Sequence, residues 1–473
     1  MLMINNKHGM VAVWGVLCLS LLIGCNKLVQ VPDPISSITA NETFSSDASA
    51  TAAMLGIYSY MSGHNSFSSL QTTFCLGESA DELIDETKGN EQYDIFLCNT
   101  LTTLSASGAV DGGFWQPAYF DIYSANSIIS GVEASTGISP AIKNQLLGEA
   151  KFIRAFCYFY LTNIFGEVPL VLSTDFNQTA LLSRSPQSLI YQQIINDLSD
   201  GETLMNSDFS MSGGMPIRAN KWAAASLLAR VYLYQKNWTG ADSAASAVIN
   251  SGQFALLSDP DSVFLANSRE AILQLQTLNG YPYATFEGNF FVPFIPGAYA
   301  SCWLTSQLLN SFEPNDLRRQ RWVDSLDKNS VYYPYKYKIY SGPSDPAENY
   351  TLLRLAEQYL IRAEAEIQLG QLNAADSDLN VIRTRANLPS LPNVLTTPQL
   401  LSAVQQENKI EFFAEWGHRW LDLKRWGIAI PTLDTIYYKM GHIDSTQLLY
   451  PIPLTETQDD PDLSQNQGYN NNN

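Results

Sequence analysis

The sequence is poor in the residues that carry metal, redox and nucleophilic chemistry. Only six cysteines and four histidines occur in 473 residues. His8, His64, His418 and His442 lie far apart and no two cysteines form a CxxC pair, so no zinc-ligand spacing is present and no metal is expected. There is no G-x-S-x-G elbow and no glycine-rich phosphate loop, so no cofactor is expected either. Basic residues are scarce, with 27 Lys and Arg against 46 Asp and Glu and a formal net charge of −19. A phosphate backbone needs a basic face, which excludes nucleic acid as a partner. Apolar content of 45% with 15% charged residues is that of an ordered globular chain.

Long apolar runs are also missing, save one at the start. Lys7 and His8 precede an apolar stretch from Met10 to Ile23, too short for a membrane span but suited to a signal peptide. The stretch ends in Leu22-Ile23-Gly24-Cys25, which resembles a bacterial lipobox. The reading is a signal peptide over 1–24, lipidation on Cys25, and a tether over 25–42 in which Pro32 and Pro34 discourage regular structure. Multiple acyl chains then anchor the protein to a membrane. Cys75, Cys98, Cys157 and Cys302 remain; one disulfide, Cys75–Cys98, and four buried free thiols are both open.

What the chain does have is helical periodicity. From Asn349 to Ala386, Leu352, Ala356, Tyr359, Ala363 and Ile367 make one apolar stripe, Gly370 ends it, and Ala375, Leu379, Ile382 and Ala386 make a second. Asn373 is the expected cap between them. Such a pair resembles a tetratricopeptide (TPR) repeat. The same pattern recurs: Ser139-Pro140 starts one helix, Ser185-Pro186 its partner, and Asn220 caps another. The expected fold is mainly α, a TPR-like scaffold of four helix pairs at about 47–131 (with an insertion), 140–205, 220–250 and 349–386. Together with an irregular lobe over about 253–348 these form a single domain from 43 to 473. Residues 87–113 read as loop with short strands.

The lobe is dense in aromatics between Tyr281 and Trp303. Rings on loops suit the C–H faces of sugars. Tyr283, Tyr299 and Trp303 are therefore the candidate ligand-binding residues, with Asn279, Glu287 and Asn289 as polar neighbours, and the loop from Thr87 to Trp115 as the fallback. Thr305 or Ser306 should cap a helix just after Trp303. Elsewhere Glu411, Glu415, Arg419 and Asp422 stand three or four apart, on one face of a helix. A carboxylate pair of this kind suggests a glycosidase, but adjacent arginine holds carboxylates ionised and unfit as general acids. Arg419 and Asp422 are expected to pair with each other. Glu78, Asp81 and Glu82 read as a solvated loop. No catalytic residue is assigned.

Several late motifs occur together: Glu415, Gly417, Arg419, Trp420, Asp422, Leu423, Arg425 and Trp426; Tyr450-Pro-Ile-Pro453; Leu463 to Tyr469; Leu308 to Arg319; and Tyr335-Lys-Tyr337. With the lipobox and the TPR-like pairs, the chain resembles the SusD/RagB family. Asn408 after Glu407, where the family often has arginine, is a departure. The resemblance implies a surface nutrient-binding lipoprotein of the outer membrane of Bacteroidota, without enzymatic activity. Such a protein captures oligosaccharides and delivers them to a SusC-like TonB-dependent outer-membrane barrel. It also implies that the TPR face meets the barrel and the irregular lobe meets the ligand. The alternative is a TPR-type scaffold lipoprotein that binds only protein partners.

Overall fold

The computed structural model describes residues 40–63, 66–67, 70–85, 91–277, 283–295, 300–326, 331–342, 347–392 and 394–469. The signal segment and Cys25 lie outside them. Contacts divide the chain between Thr43 and Phe44, and the elements below all belong to the second unit.

Helix α1 (Asp47–Met61) starts where Ser46 Oγ accepts a hydrogen bond from the Ser49 amide at 3.3 Å. It buries Ala50, Met54, Ile57 and Met61, four apolar positions at helical spacing. Helix α2 (Leu70–Ser79) and strand β1 (Leu83–Asp85) follow. The next stretch corrects the expectation of loop and short strands: Glu91–Leu97 and Thr103–Ala106 are helices, the second set by a reciprocal cap between Thr102 and Ser105. A π-helical turn, Asp111–Trp115, then feeds α3 (Gln116–Ala134).

Helix α4 (Pro140–Phe165) is the centre of the scaffold, with Phe152, Ile153, Phe156 and Phe159 fully enclosed. Ser139 does not cap it; its hydroxyl donates to Asp47 Oδ2 at 2.7 Å and ties α4 to α1. Next come α5 (Gln187–Leu204), α6 (Lys221–Tyr234) and α7 (Trp238–Asn250). Asn220 does cap α6, accepting from the Trp222 and Ala223 amides at 3.0 and 3.1 Å.

The lobe begins with β2 (Ala271–Leu275), α8 (Phe286–Phe291) and β3 (Cys302–Leu304), and continues with a hairpin of β4 (Val323–Leu326) and β5 (Val331–Pro334). Strand β6 (Tyr350–Arg354) returns to pair antiparallel with β2 and closes the excursion. Leu352, assigned to the helical stripe by periodicity, is in this strand; α9 (Leu355–Gln368) starts three residues later. Helix α10 (Leu372–Arg385) has Gln371 at its N-cap position, two residues before the expected cap Asn373, which lies inside the helix. Helices α11 (Thr397–Glu411), α12 (His418–Arg425) and α13 (Leu454–Asp459) follow toward the C-terminus.

Helix α7 packs on α9 although the lobe separates them in sequence, so the row α3, α4, α5, α6, α7, α9, α10 is continuous. Each helix pair buries its stripe against the next, the logic of a TPR array. Arginine–carboxylate forks link its layers: Arg154 to Asp197 (2.7 and 2.8 Å) and Arg230 to Glu357, both buried, and Arg362 to Asp378, half-buried. A fork satisfies both carboxylate oxygens at once and so fixes register as well as charge. All four cysteines after Cys25 are free thiols, so the Cys75–Cys98 bridge is not formed.

Candidate ligand-binding surface

The lobe surface is built outward from β1 and β3. They pair antiparallel with Leu83 opposite Leu304, Ile84 opposite Trp303, and Asp85 opposite Cys302. Side chains alternate across a strand. Leu83, Leu304, Asp85 and Cys302 point inward and are buried, which turns Ile84 and Trp303 to the other face, where both are half-buried. The Trp303 indole N–H donates to the Ala300 carbonyl at 3.2 Å, which sets the ring's orientation. Thr305 Oγ1 accepts from the Leu308 amide at 3.1 Å, so the predicted cap after Trp303 is present.

Helix α8 packs on β3 and on α2. Its cap, Thr285, accepts from the Gly288 amide at 3.0 Å. Tyr283 precedes this cap in the left-handed region at φ 56°, half-buried. The strip from Ile339 to Gly342 lies against it: Asn289 Nδ2 donates to the Tyr340 carbonyl at 2.9 Å, and a Cβ on Gly342 would meet Tyr283 O at 2.9 Å. Phe294 is 62% exposed with its ring 6.1 Å from Tyr340, and Ile295 beside it is 54% exposed. Sequence reasoning did not single out Phe294, although it lies within the aromatic segment.

Of the three predicted residues, then, Trp303 and Tyr283 belong to elements of one lobe, β3 and the entry to α8. Tyr299 lies outside the described residues, as do Asn279 and Tyr281. Other rings of the segment pack inward: Phe290 meets Phe74 edge-on at 5.1 Å, and Phe291 is buried. Glu287 is a correction. It faces the core, 1% exposed, and accepts from Thr73 Oγ1 at 2.9 Å; burial pushes its carboxyl up to about 7. A charged acid there has no solvent, so Glu287 supports α8 from beneath.

The acidic positions of the late motif form no surface site. Helix α11 ends at Glu411, and Ala414, Trp416 and Gly417 take positive φ in the link to α12. Gly417 has φ 66°, and a Cβ there would stand 2.4 Å from the Leu76 side chain, so both backbone and space require glycine. Glu411 therefore ends α11, Glu415 lies in the link, and Arg419 and Asp422 are on α12, so the four do not share one helix face. Arg354, Arg385 and Arg318 all bind Glu411. Burial opposes its charge, but the three guanidiniums outweigh burial and hold the carboxyl well below the ordinary range. Glu415 pairs with Lys336 and with Arg354 Nε, the latter at 2.9 Å. Arg318 adds Glu407 and Asp316, each at 2.8 Å.

Arg419 and Asp422 do not pair with each other. Arg419 Nε binds Asp81 Oδ1 at 2.7 Å, and Asp422 binds Arg425 at 2.6 Å. The expected solvated loop at Glu78, Asp81 and Glu82 is buried instead, because Arg419 and Lys409 reach Asp81 and the Lys439 ammonium donates to the carbonyls of Glu78 and Leu97. No group of His, Cys, Asp and Glu among the described residues is arranged to hold a metal ion.

Two family models match the chain: the SusD family over residues 315–469, and a family described as starch-binding, associating with the outer membrane, over residues 42–233. SusD-like protein P2 of Formosa agariphila is 27% identical, the match covering 85% of this chain and 88% of that one. The starch-binding protein SusD of Bacteroides thetaiotaomicron is 24% identical over 74% of this chain and 77% of its own. Among solved structures, a SusD superfamily protein of Bacteroides vulgatus superposes with a TM-score of 0.78 at 22% identity, covering 89% of this chain and 99% of that one. A laminarin-binding SusD-like protein gives a TM-score of 0.76 at 22% identity, covering 90% and 100%. Together the two models take in residues 42–233 and 315–469, the curated relatives are SusD-like proteins, and the fold is that of SusD superfamily proteins.

Proposed function

We propose that this protein is a glycan-binding lipoprotein of the outer membrane, anchored through Cys25 and exposed at the cell surface. In this reading residues 1–24 are removed, 25–42 tether the domain from 43 to 473, and Tyr283, Tyr299 and Trp303 contact an oligosaccharide. The protein then delivers that ligand to a SusC-like TonB-dependent barrel. Two relatives whose names record starch or laminarin binding support the ligand class.

The observation that carries the reading is Trp303, a ring fixed by its own indole hydrogen bond on the outward face of a strand pair, with exposed Phe294 and Ile295 in the same lobe. A flat apolar surface of this kind is stacked by sugar rings and marks a binding site rather than a core. The reading assigns no catalytic role: three arginines hold Glu411 charged, and Arg419 with Lys409 holds Asp81 charged, which leaves both carboxylates unfit as general acids.

Calorimetry of the detergent-solubilised full chain against starch, laminarin and other oligosaccharides tests it. Binding that weakens in Trp303→Ala, with melting unchanged, supports it. Absence of glycan binding alongside tight capture of the barrel alone would favour a protein-only scaffold. Cys25→Ala should release the protein from the membrane fraction in cells that lack the barrel.

A further inference from the structure

A second surface is independent of the lobe. A groove of about 450 Å³ lies between α3, the segment from Pro169 to Leu182, and α13. Its floor is apolar: Tyr119, Phe120, Pro169, Val171 and Leu182. Its far rim is acidic, with Glu456, Asp459 and Asp460. We propose that this groove docks a polypeptide segment of a partner that carries arginine or lysine beside aliphatic or aromatic side chains.

Charge is the first argument. No lysine, arginine or histidine lines the groove, and the three rim carboxylates have no ion pair among the described residues. Below them Asp111 accepts from Thr455 Oγ1 at 3.0 Å and Gln116 Nε2 at 2.9 Å. Burial and the charges of Asp111 and Asp459 raise the Glu456 carboxyl. Like charges gathered without a counter-ion attract a cation, and one entering the groove relieves their repulsion.

Shape is the second argument. Phe120 is 49% exposed yet held with its ring 4.3 Å from that of Tyr60, so an apolar face is presented in a fixed place. The apolar surface continues past the groove over Phe176 (75% exposed) and Leu181 (57%), on the short helix and turn that form one wall. That is more apolar surface than a metal ion or a lone ammonium group covers. A basic side chain lays its methylene stem along an apolar floor and its head among acids. A neutral oligosaccharide also stacks on rings, but it has no use for three uncompensated carboxylates, so a cationic peptide is the better match.

The test uses the detergent-solubilised full chain with three probes: a blocked hexapeptide alternating arginine and leucine, the same peptide with glutamate for arginine, and maltoheptaose. Tryptophan fluorescence, with Trp115 in the groove, reads binding. The arginine peptide should bind about tenfold or more tighter than the glutamate peptide and weaken as salt rises. The combined Glu456→Gln, Asp459→Asn and Asp460→Asn variant should lose that preference and its salt dependence while keeping its melting curve. Phe120→Ala should weaken the arginine peptide; if that variant fails to fold, the carboxamide variant, which keeps every side-chain volume, carries the test. Neither set of changes should alter glycan binding at Trp303, so failure here is distinguishable from failure of the glycan reading. Equal binding of the two peptides, no binding of either, or maltoheptaose binding that depends on Phe120 would overturn the proposal.

Discussion

Residues 407–427 and residues 283–303 are made of similar material, rings and acids with a glycine or two, yet they sit in different surroundings. In the first, Trp416 and Trp420 are buried, and Glu411 and Glu415 disappear among Arg354, Arg385, Arg318 and Lys336. In the second, Trp303 and Tyr283 are half-buried and Phe294 stands in solvent. The partners make the difference. Every cation that meets Glu411 comes from another element: β6, the end of α10, and the helix near Arg318. At Trp303 the indole N–H donates within its own neighbourhood, to the Ala300 carbonyl, and the ring stays half-buried. A ring or an acid takes its role from what the fold brings to it.

The largest effect should come from emptying the charged centre. Glu411→Ala leaves Arg354 and Arg385 buried with fewer counter-charges, and breaking a buried pair costs about 3–5 kcal/mol. Chemical unfolding should show that loss, or the variant should not accumulate folded. A cost below about 1 kcal/mol would break the comparison, because Glu411 would then behave like a surface acid. Trp303→Ala should do the reverse. Losing one cross-strand contact costs under about 1 kcal/mol, whereas losing a stacking platform should weaken oligosaccharide binding by about tenfold or more, about 1.4 kcal/mol. A Trp303→Ala variant that unfolds would place that ring with the scaffold.

pH sharpens the same contrast. Burial first, then the charge of Asp81, pushes the Glu82 carboxyl up to about 8, and burial pushes Glu287 up to about 7. Both ordinarily titrate near 4.5. Folded protein therefore keeps two protons that the unfolded chain has released, so stability falls as pH rises from the unfolded value through the folded one. The slope is at most about 1.4 kcal/mol per pH unit for each group. Lys336 is pulled down to about 8 and Lys424 to about 7, mainly by burial, which gives the opposite slope above those values, where the unfolded chain holds the extra proton. Melting temperature should thus be higher near about pH 5 than near about pH 8. Glu82→Gln, which cannot ionise, should flatten the decline; an unchanged profile would mean Glu82 is already ionised when folded.

Much of this was legible in the sequence, and the failures share a cause. Helix pairs appear because burial of one face at period 3.6 is a local pattern: Ala50, Met54 and Ile57 in α1, or Ala375, Leu379 and Ile382 in α10, announce themselves. Leu352 misled because five buried residues of β6 match a helical stripe as well as a strand in a short window. Long-range pairing was out of reach. Arg419 stands three residues from Asp422, yet its partner Asp81 comes from more than three hundred residues earlier. Glu78, Asp81 and Glu82 look like a solvated loop until Lys439 and Arg419 arrive from the far end of the chain. Trp303 was singled out as a candidate from the chemistry of its ring, and the strand pair that presents it was not legible.

The smallest effect separates ring from backbone at Tyr283. Its φ of 56° costs a residue with a Cβ about 1–2 kcal/mol relative to glycine, part of which glycine returns in unfolded-state entropy. Gly342 lies close against this backbone, since a Cβ added to it would come within 2.9 Å of Tyr283 O. Tyr283→Ala removes the ring and keeps the strain; Tyr283→Gly removes both. The glycine variant should therefore melt above the alanine variant by the equivalent of up to about 1 kcal/mol. If the ring alone touches the oligosaccharide, the two variants should bind it equally and more weakly than the parent. If glycine binds more weakly than alanine, the held backbone ahead of α8 is itself part of the surface. Equal binding by all three would assign Tyr283 to the lobe's own packing and leave Trp303 as the described member of the predicted set.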